Sequence, residues 1–447
     1  MLSGVFSRFK LLWFIILSTC SLGIYFYIGY GINRHEHLAL GLCVTSLFVI
    51  YIVLFQYEFP KSSLIGLGLI SRIIFLWATP SLSQDFYRFL WDAKLILEGL
   101  NPYLWTPKEL LDFNCFNTEI MRSLWQGMGT LSQNNFSNYP PVHQLPSVAA
   151  KLIGGHSISL AIVVLRTVLI GADIGVVIVG QKLLKLLNLP KKYILLYFLN
   201  PLVVIELSGN LHHEGVMIFG LALALYFAYR REEIRAGVFM GLSVLTKLTP
   251  ILLIPLLLHK IKLKKNYRFY ATIALVISLG FAPFFSVKFS GNYLQTIGLW
   301  FTNFEFNSSF FWLAKLLLNN IFQLHLMPYM RFAVPGLMGL FLLFFLSKKE
   351  TNFTKILTQM MILLTGYFLI STTVHPWYVV TLVFLSCFTP FRFPIVWSFT
   401  IFFSYFSYQN GYVEESHFWR LIQYGVVVGI WGYEFYKINR ITTSSAD

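Results

Sequence analysis

Asp85, Arg88 and Asp92 bring two carboxylates and a guanidinium together within two helical turns. Wound at about 100° per residue they fall within roughly 60° of one another, and Phe86, Phe89, Leu90, Ala93 and Leu97 make the opposite stripe. A carboxylate bordering an apolar zone is disfavoured in its charged form, so its pKa rises and it becomes a stronger base toward a hydroxyl. Asp85, a few residues after the apolar run Leu64 to Pro80, is the preferred base; Asp92 is the second candidate, or the group that orients Arg88. The competing reading is the wet face of a surface helix. Paired carboxylates also serve glycosidases, but hydrolysis does not call for as many membrane spans as this chain carries.

Two further clusters carry imidazoles. Asn210, His212, His213 and Glu214 follow an apolar run that contains Glu206. Adjacent histidines in a turn usually point apart, so a hydrogen-bonding rim for a sugar or pyrophosphate is expected there and a metal is not. His375-Pro-Trp377-Tyr378 sets an imidazole beside two aromatics suited to a sugar ring; an interfacial aromatic belt with a helix-starting Pro376 is the alternative. Asn138-Tyr139-Pro140-Pro141 returns an outer loop to the membrane, with Tyr139 toward the site. Arg72, Arg166, Asp173, Glu206 and Lys247 are ionisable groups inside apolar runs, where they must pair or line a polar cavity. Arg166 and Asp173 share a helical face and suit a structural pairing between helices. Lys247, at a membrane-buried turn, can hold a lipid phosphate.

The elements that must position these residues follow from composition. With 447 residues, 56% hydrophobic and 12% charged, the chain is a polytopic, all-α membrane protein. Its net charge of +15 lies in short clusters between apolar runs, which orients loops and excludes a nucleic-acid face. Cys20, Cys43, Cys115 and Cys387 are too scattered for a disulfide framework or a metal site. Runs of spanning length, roughly 17 to 25 residues, lie near 11–31, 38–57, 62–80, 157–180, 193–209, 213–229, 267–287, 329–347, 354–374, 376–391, 393–409 and 417–436. The expectation is a single membrane domain over 1–447 with about 12 to 14 spans. The first run reads as an uncleaved helix. Basic loops alternate so that both termini are cytoplasmic. Ala236 to Leu258 is basic at both ends, and Pro250 and Pro255 predict a broken or re-entrant hairpin turning at Thr246-Lys247-Leu-Thr-Pro250. Residues 81–150 form a large outer loop whose amphipathic helix, 83–100, lies on the membrane surface until Asn101-Pro-Tyr103 ends it. Lys288 to Ser309 and Gln409 to His417 are further outer loops. No nucleotide sugar reaches that face, so a glycosyl donor there must be lipid-borne.

At these residues the chain resembles the GT-C superfamily of membrane glycosyltransferases, and within it bacterial polyprenol-phosphate-mannose-dependent mannosyltransferases of cell-envelope synthesis. The resemblance rests on Asp85-x-Tyr-Arg88-x-x-x-Asp92 with Asn101-Pro-Tyr103, Tyr139-Pro-Pro141, Asn210-x-His212-x-Glu214, Gly241-Leu-Ser-x-x-x-Lys247 with Pro250, and His375-Pro-Trp-Tyr378. The chain departs from the Asp-x-Asp pair of the eukaryotic pattern, which leaves the choice between Asp85 and Asp92 open. The resemblance implies inverting transfer of a sugar, mannose first, from a polyprenyl-phosphate donor to a glycan or lipid acceptor hydroxyl. It places the protein in the bacterial inner membrane with the site facing the periplasm. Lys247, Arg88 and His375 would stabilise the departing phosphate, so neither a cofactor nor a divalent metal is required. Tyr139, Asn210, His212, His213, Glu214, Trp377 and Tyr378 would contact substrate. A secondary transporter or a lipid-linked glycan flippase is the rival reading.

Overall fold

The computed structural model describes residues 2–57, 59–112, 118–258, 267–302, 304–409 and 412–444. Cys115 and most of the basic stretch after Leu258 lie outside them. The described residues are helical and carry only isolated bridges, Phe306 with Thr373 and Tyr408 with Val413.

Six of the described helices are long and apolar enough to cross a membrane: Phe9–Tyr30, His37–Gln56, Ile158–Leu186, Tyr267–Phe284, Met327–Ser347 and Phe353–Ile370. A seventh is a bent pair, Lys191–Phe198 and Pro201–Gly209, turned by 53°. Asn200-Pro201 makes that bend: the proline cannot donate to the turn before it, and Asn200 Oδ1 accepts from Leu202 N at 2.9 Å to restart the helix. Other apolar runs arrive as shorter pieces, among them Glu214–Tyr229, Pro376–Ser386 and Phe393–Ser407. The protein is a multi-pass membrane protein of GT-C-like build.

Local chemistry sets the boundaries. Ser157 caps Ile158–Leu186 by accepting from Leu160 N at 3.1 Å, and Asn352 caps Phe353–Ile370 through Lys355 N at 3.1 Å. Helix Glu233–Thr246 stops at Lys247, and a 3-10 helix, Thr249–Leu257, begins beyond it, so the break falls in the turn expected from Pro250. Close packing delivers Lys247 to its place. A Cβ on Gly241 would sit 2.8 Å from Val276 of Tyr267–Phe281, and one on Gly220 3.2 Å from Ser243.

Two expectations are corrected. Helix Asp85–Leu97 is not a surface helix with one wet face: Arg88 and Asp92 are as buried as Phe86, Phe89 and Trp91, because Pro141–Gly154 and the segment around Ser137 cover its polar side. The stretch read as a loop from Lys288 to Ser309 is helical over Val287–Thr302. Asn101 and Tyr103 tie the end of the Asp85 helix to it and to the turn before it, Asn101 Nδ2 donating to Phe284 O of that turn at 2.8 Å and Tyr103 packing edge-on to Phe289 and Tyr293.

Buried ions hold the frame. Arg72 pairs with Asp173 at 2.8 Å, and Tyr197 Oη donates to the same carboxylate at 2.6 Å. Arg166 therefore has no part in pairing Asp173. It donates to the carbonyls of Leu76 and Ala78, just before the Asp85 helix, and to those of Ser208 and Gly209, just before His212. One guanidinium thus clamps together the two turns from which the polar residues emerge.

Candidate active site

A cavity of about 870 Å³ opens where these turns meet the break at Lys247. Asp85, Arg88, Tyr139, His212 and His213 line it, as do Glu214, Lys247, His375, Trp377 and Tyr378. Asn210 and Asp92 do not.

Asp85 is the first residue of its helix, and its side chain keeps 28% exposure. Its Oδ2 lies 3.6 Å from His212 Nε2, and Ser83 Oγ accepts from its backbone N–H at 3.3 Å. Burial alone would push the carboxyl up, as the sequence suggested; the facing His212 imidazole and the Lys247 charge reverse the sign and hold it below the usual carboxylate range.

The other nitrogen of His212, Nδ1, lies 3.1 Å from Glu206 Oε2. Glu206 also accepts from Tyr405 Oη at 2.6 Å and Asn210 Nδ2 at 3.0 Å. Burial disfavours the imidazolium, but two facing carboxylates more than offset this and raise His212 to about 9. Asn210 thus supports Glu206 from behind the cavity wall.

Asp92 is fully enclosed. It receives Arg88 Nε at 2.8 Å, Ser137 Oγ at 2.5 Å and Gln144 Nε2 at 3.4 Å, and serves to orient Arg88. Burial pushes its carboxyl up despite those partners. Arg88 Nη1 donates to Ser132 O and Asn135 O; Nη2 has no partner among the described residues, which leaves one buried donor for an anion oxygen.

Lys247 pairs with Glu214 and lies 4.3 Å over the Tyr378 ring, so its ammonium is held toward the cavity by a carboxylate and a π-face together. His375 is buried and its pKa pushed down to about 3, which makes it a neutral hydrogen-bonding group and not a fixed cation. Trp377 stacks on His212 at 3.7 Å and on His375 at 4.4 Å, so protein rings occupy much of its stacking surface. Tyr139 stacks on His143, and His213 packs against both Phe89 and His143; burial holds His213 neutral, at about 3.

Sequence reasoning picked out Glu206 only as a buried ion and missed Tyr405, Arg34, Glu305 and Glu415. Glu206 carried a signal, an acid inside an apolar run. The last three also line the cavity, Arg34 over the Tyr408 ring at 4.6 Å and both glutamates paired with Arg420, and no local spacing marks them. Among the described residues no three metal-ligating side chains gather.

Residues 33–261 match a family described as alpha-(1->6)-mannopyranosyltransferase, N-terminal domain, a stretch that holds every candidate residue except His375, Trp377 and Tyr378. The chain belongs to this family. Alpha-(1->6)-mannopyranosyltransferase A of Corynebacterium glutamicum is 21% identical over 199 residues, 42% of this chain. The matched stretch spans 38% of that relative's length. No solved structure matches. Family membership agrees with the resemblance carried by Asp85, Arg88, Asn210 to Glu214 and Lys247.

Proposed function

We propose that this cavity transfers mannose from a polyprenyl-phosphate donor to a hydroxyl of a glycan or lipid acceptor, with inversion, at the outer leaflet of the bacterial inner membrane. The supporting observation is that Asp85 and Lys247, distant in sequence, share one lumen. Its wall next to Lys247 is apolar, made by Ile251, Leu252, Val334, Pro335 and Met338, and suits an isoprenoid chain.

The acceptor oxygen attacks C1 of the sugar while its proton passes to Asp85. The bond from C1 to the phosphate oxygen breaks and its electron pair leaves with the lipid phosphate. Lys247 and the unpaired Nη2 of Arg88 offer fixed positive charge to that leaving group. His212, held as imidazolium, keeps Asp85 ready as carboxylate. We extend to this chain the alpha-(1->6) linkage in the family's name; inversion to an alpha product requires a beta-linked donor.

The test is incubation of purified protein with radiolabelled polyprenyl-phosphate mannose and membrane acceptors, with polyprenyl-phosphate glucose and arabinose as competitors. Mannose incorporation abolished by Asp85→Asn supports the reading. Proton- or sodium-coupled uptake, or lipid translocation without transfer, would replace it.

A further inference from the structure

We infer that Glu206 is a positioning residue of this site, acting through His212 to fix the orientation and charge of the imidazole that faces Asp85. This rests on the transferase reading for its catalytic meaning, but not for its physical content.

Glu206 is fully buried and does not line the cavity, so it touches no substrate. A carboxylate taken out of water is costly unless donors surround it, and three do: Tyr405 Oη, Asn210 Nδ2 and His212 Nδ1. The backbone is shaped for the third. Val204–Gly209 is a π-helical turn, a widened geometry frequent at functional sites. Leu211 then adopts φ +64°, a left-handed conformation costly for a residue with a Cβ. These two irregularities fold the chain back so that His212 lies over the residue six positions before it: its N–H donates to Glu206 O at 3.1 Å while Nδ1 meets the carboxylate. With Nδ1 held, Nε2 is directed at Ser83 Oγ, 3.3 Å away, and at Asp85.

The charges around His212 decide its state. Asp85, Glu206 and Glu214 favour the imidazolium and burial opposes it; the neighbouring His213, His375 and His143 are kept neutral, and Lys247, paired with Glu214, is a nearby cation. The acids prevail, and His212 is raised to about 9. Glu206 is the partner that stays in place whatever enters the cavity, whereas Asp85 must give up its charge each time it accepts a proton. Positive charge on His212 then outlasts that step.

Trp377, stacked on His212, reports this without donor or acceptor, since an imidazolium quenches indole emission more than a neutral imidazole does. The emission of the full-length protein minus that of Trp377→Phe, followed against pH, isolates the titration of His212. We expect a midpoint near 9 in the parent protein and one lower by at least about one unit, a tenfold loss of proton affinity, in Glu206→Gln. Glu206→Asp should recover part of the shift. In Asp85→Asn, where Glu206 is intact, the midpoint should remain above the ordinary histidine value of about 6.5. An equal midpoint in Glu206→Gln and parent would overturn the inference. So would a fall to the ordinary value in Asp85→Asn, which decides the matter even where Glu206→Gln does not fold. If these midpoints behave as expected and no mannose is transferred, the function proposed above fails and the coupling stands; transfer with unmoved midpoints is the reverse case.

Discussion

The Asp85 carboxylate and His212 Nε2 face each other at 3.6 Å across the cavity wall. They belong to segments more than a hundred residues apart and meet because Arg166 binds carbonyls of the turns that lead into both, those of Leu76 and Ala78 before Asp85 and of Ser208 and Gly209 before His212. The proposed base is thereby kept ionised by a charged ring, and its basicity is lowered by that ring where desolvation alone would have raised it.

Removing that base should stop transfer. Asp85→Asn is expected to lower kcat by at least about 100-fold, a general base's usual contribution, with folding intact by thermal unfolding. Asp92→Asn should behave differently: it frees Arg88 from a buried partner, so the melting temperature falls along with activity. Equal transfer by Asp85→Asn and parent protein would end the assignment.

The pH dependence has a definite sign. The Asp85 pKa is depressed, so its contribution to stability is present above the ordinary carboxylate value and is lost as pH falls through the lower folded value. His212 is raised, so its contribution is fully present below about 6.5 and is lost as pH rises through about 9. Stability should therefore fall as pH rises from about 6.5 to about 9 and level off above it, and His212→Gln should remove that decline. A melting temperature flat across pH 7 to 10 would contradict it.

Lys247 and Glu214 separate binding from folding. Lys247→Met leaves the nearly buried Glu214 carboxylate without its partner and should cost up to about 3 kcal/mol, visible in denaturation. Adding Glu214→Gln should restore most of the stability while the donor KM stays high, because the cation for the lipid phosphate is still missing. If the double variant regained a normal KM, Lys247 would be a structural residue.

Arg166→Lys keeps the charge but cannot reach four carbonyls with the planar fork that Arg166 uses. The expected outcome is a loss of about 2 to 3 kcal/mol from unsatisfied buried carbonyls. A fall in kcat should accompany it as Asp85 and His212 lose their register, read by unfolding and transfer assays on one preparation.

The helices Phe9–Tyr30, His37–Gln56 and Ile158–Leu186, and the break at Lys247 before Pro250, were legible in the sequence because they are local properties: a bilayer demands long apolar runs, and proline interrupts a helix wherever it stands. The polar clusters were legible too, since Asp85, His212, Lys247 and His375 stand out in a chain that is only 12% charged. What only the tertiary structure decided is which of them face one another. The burial of Asp92 depends on Ser137 and Gln144, the neutrality of His375 on the rings and cations around it, and the sign of the Asp85 shift on His212, itself held by Glu206 through a π-turn and a left-handed Leu211. Periodicity is written along the chain, but Coulomb interactions and desolvation act through space, and their balance is set only once the chain has folded.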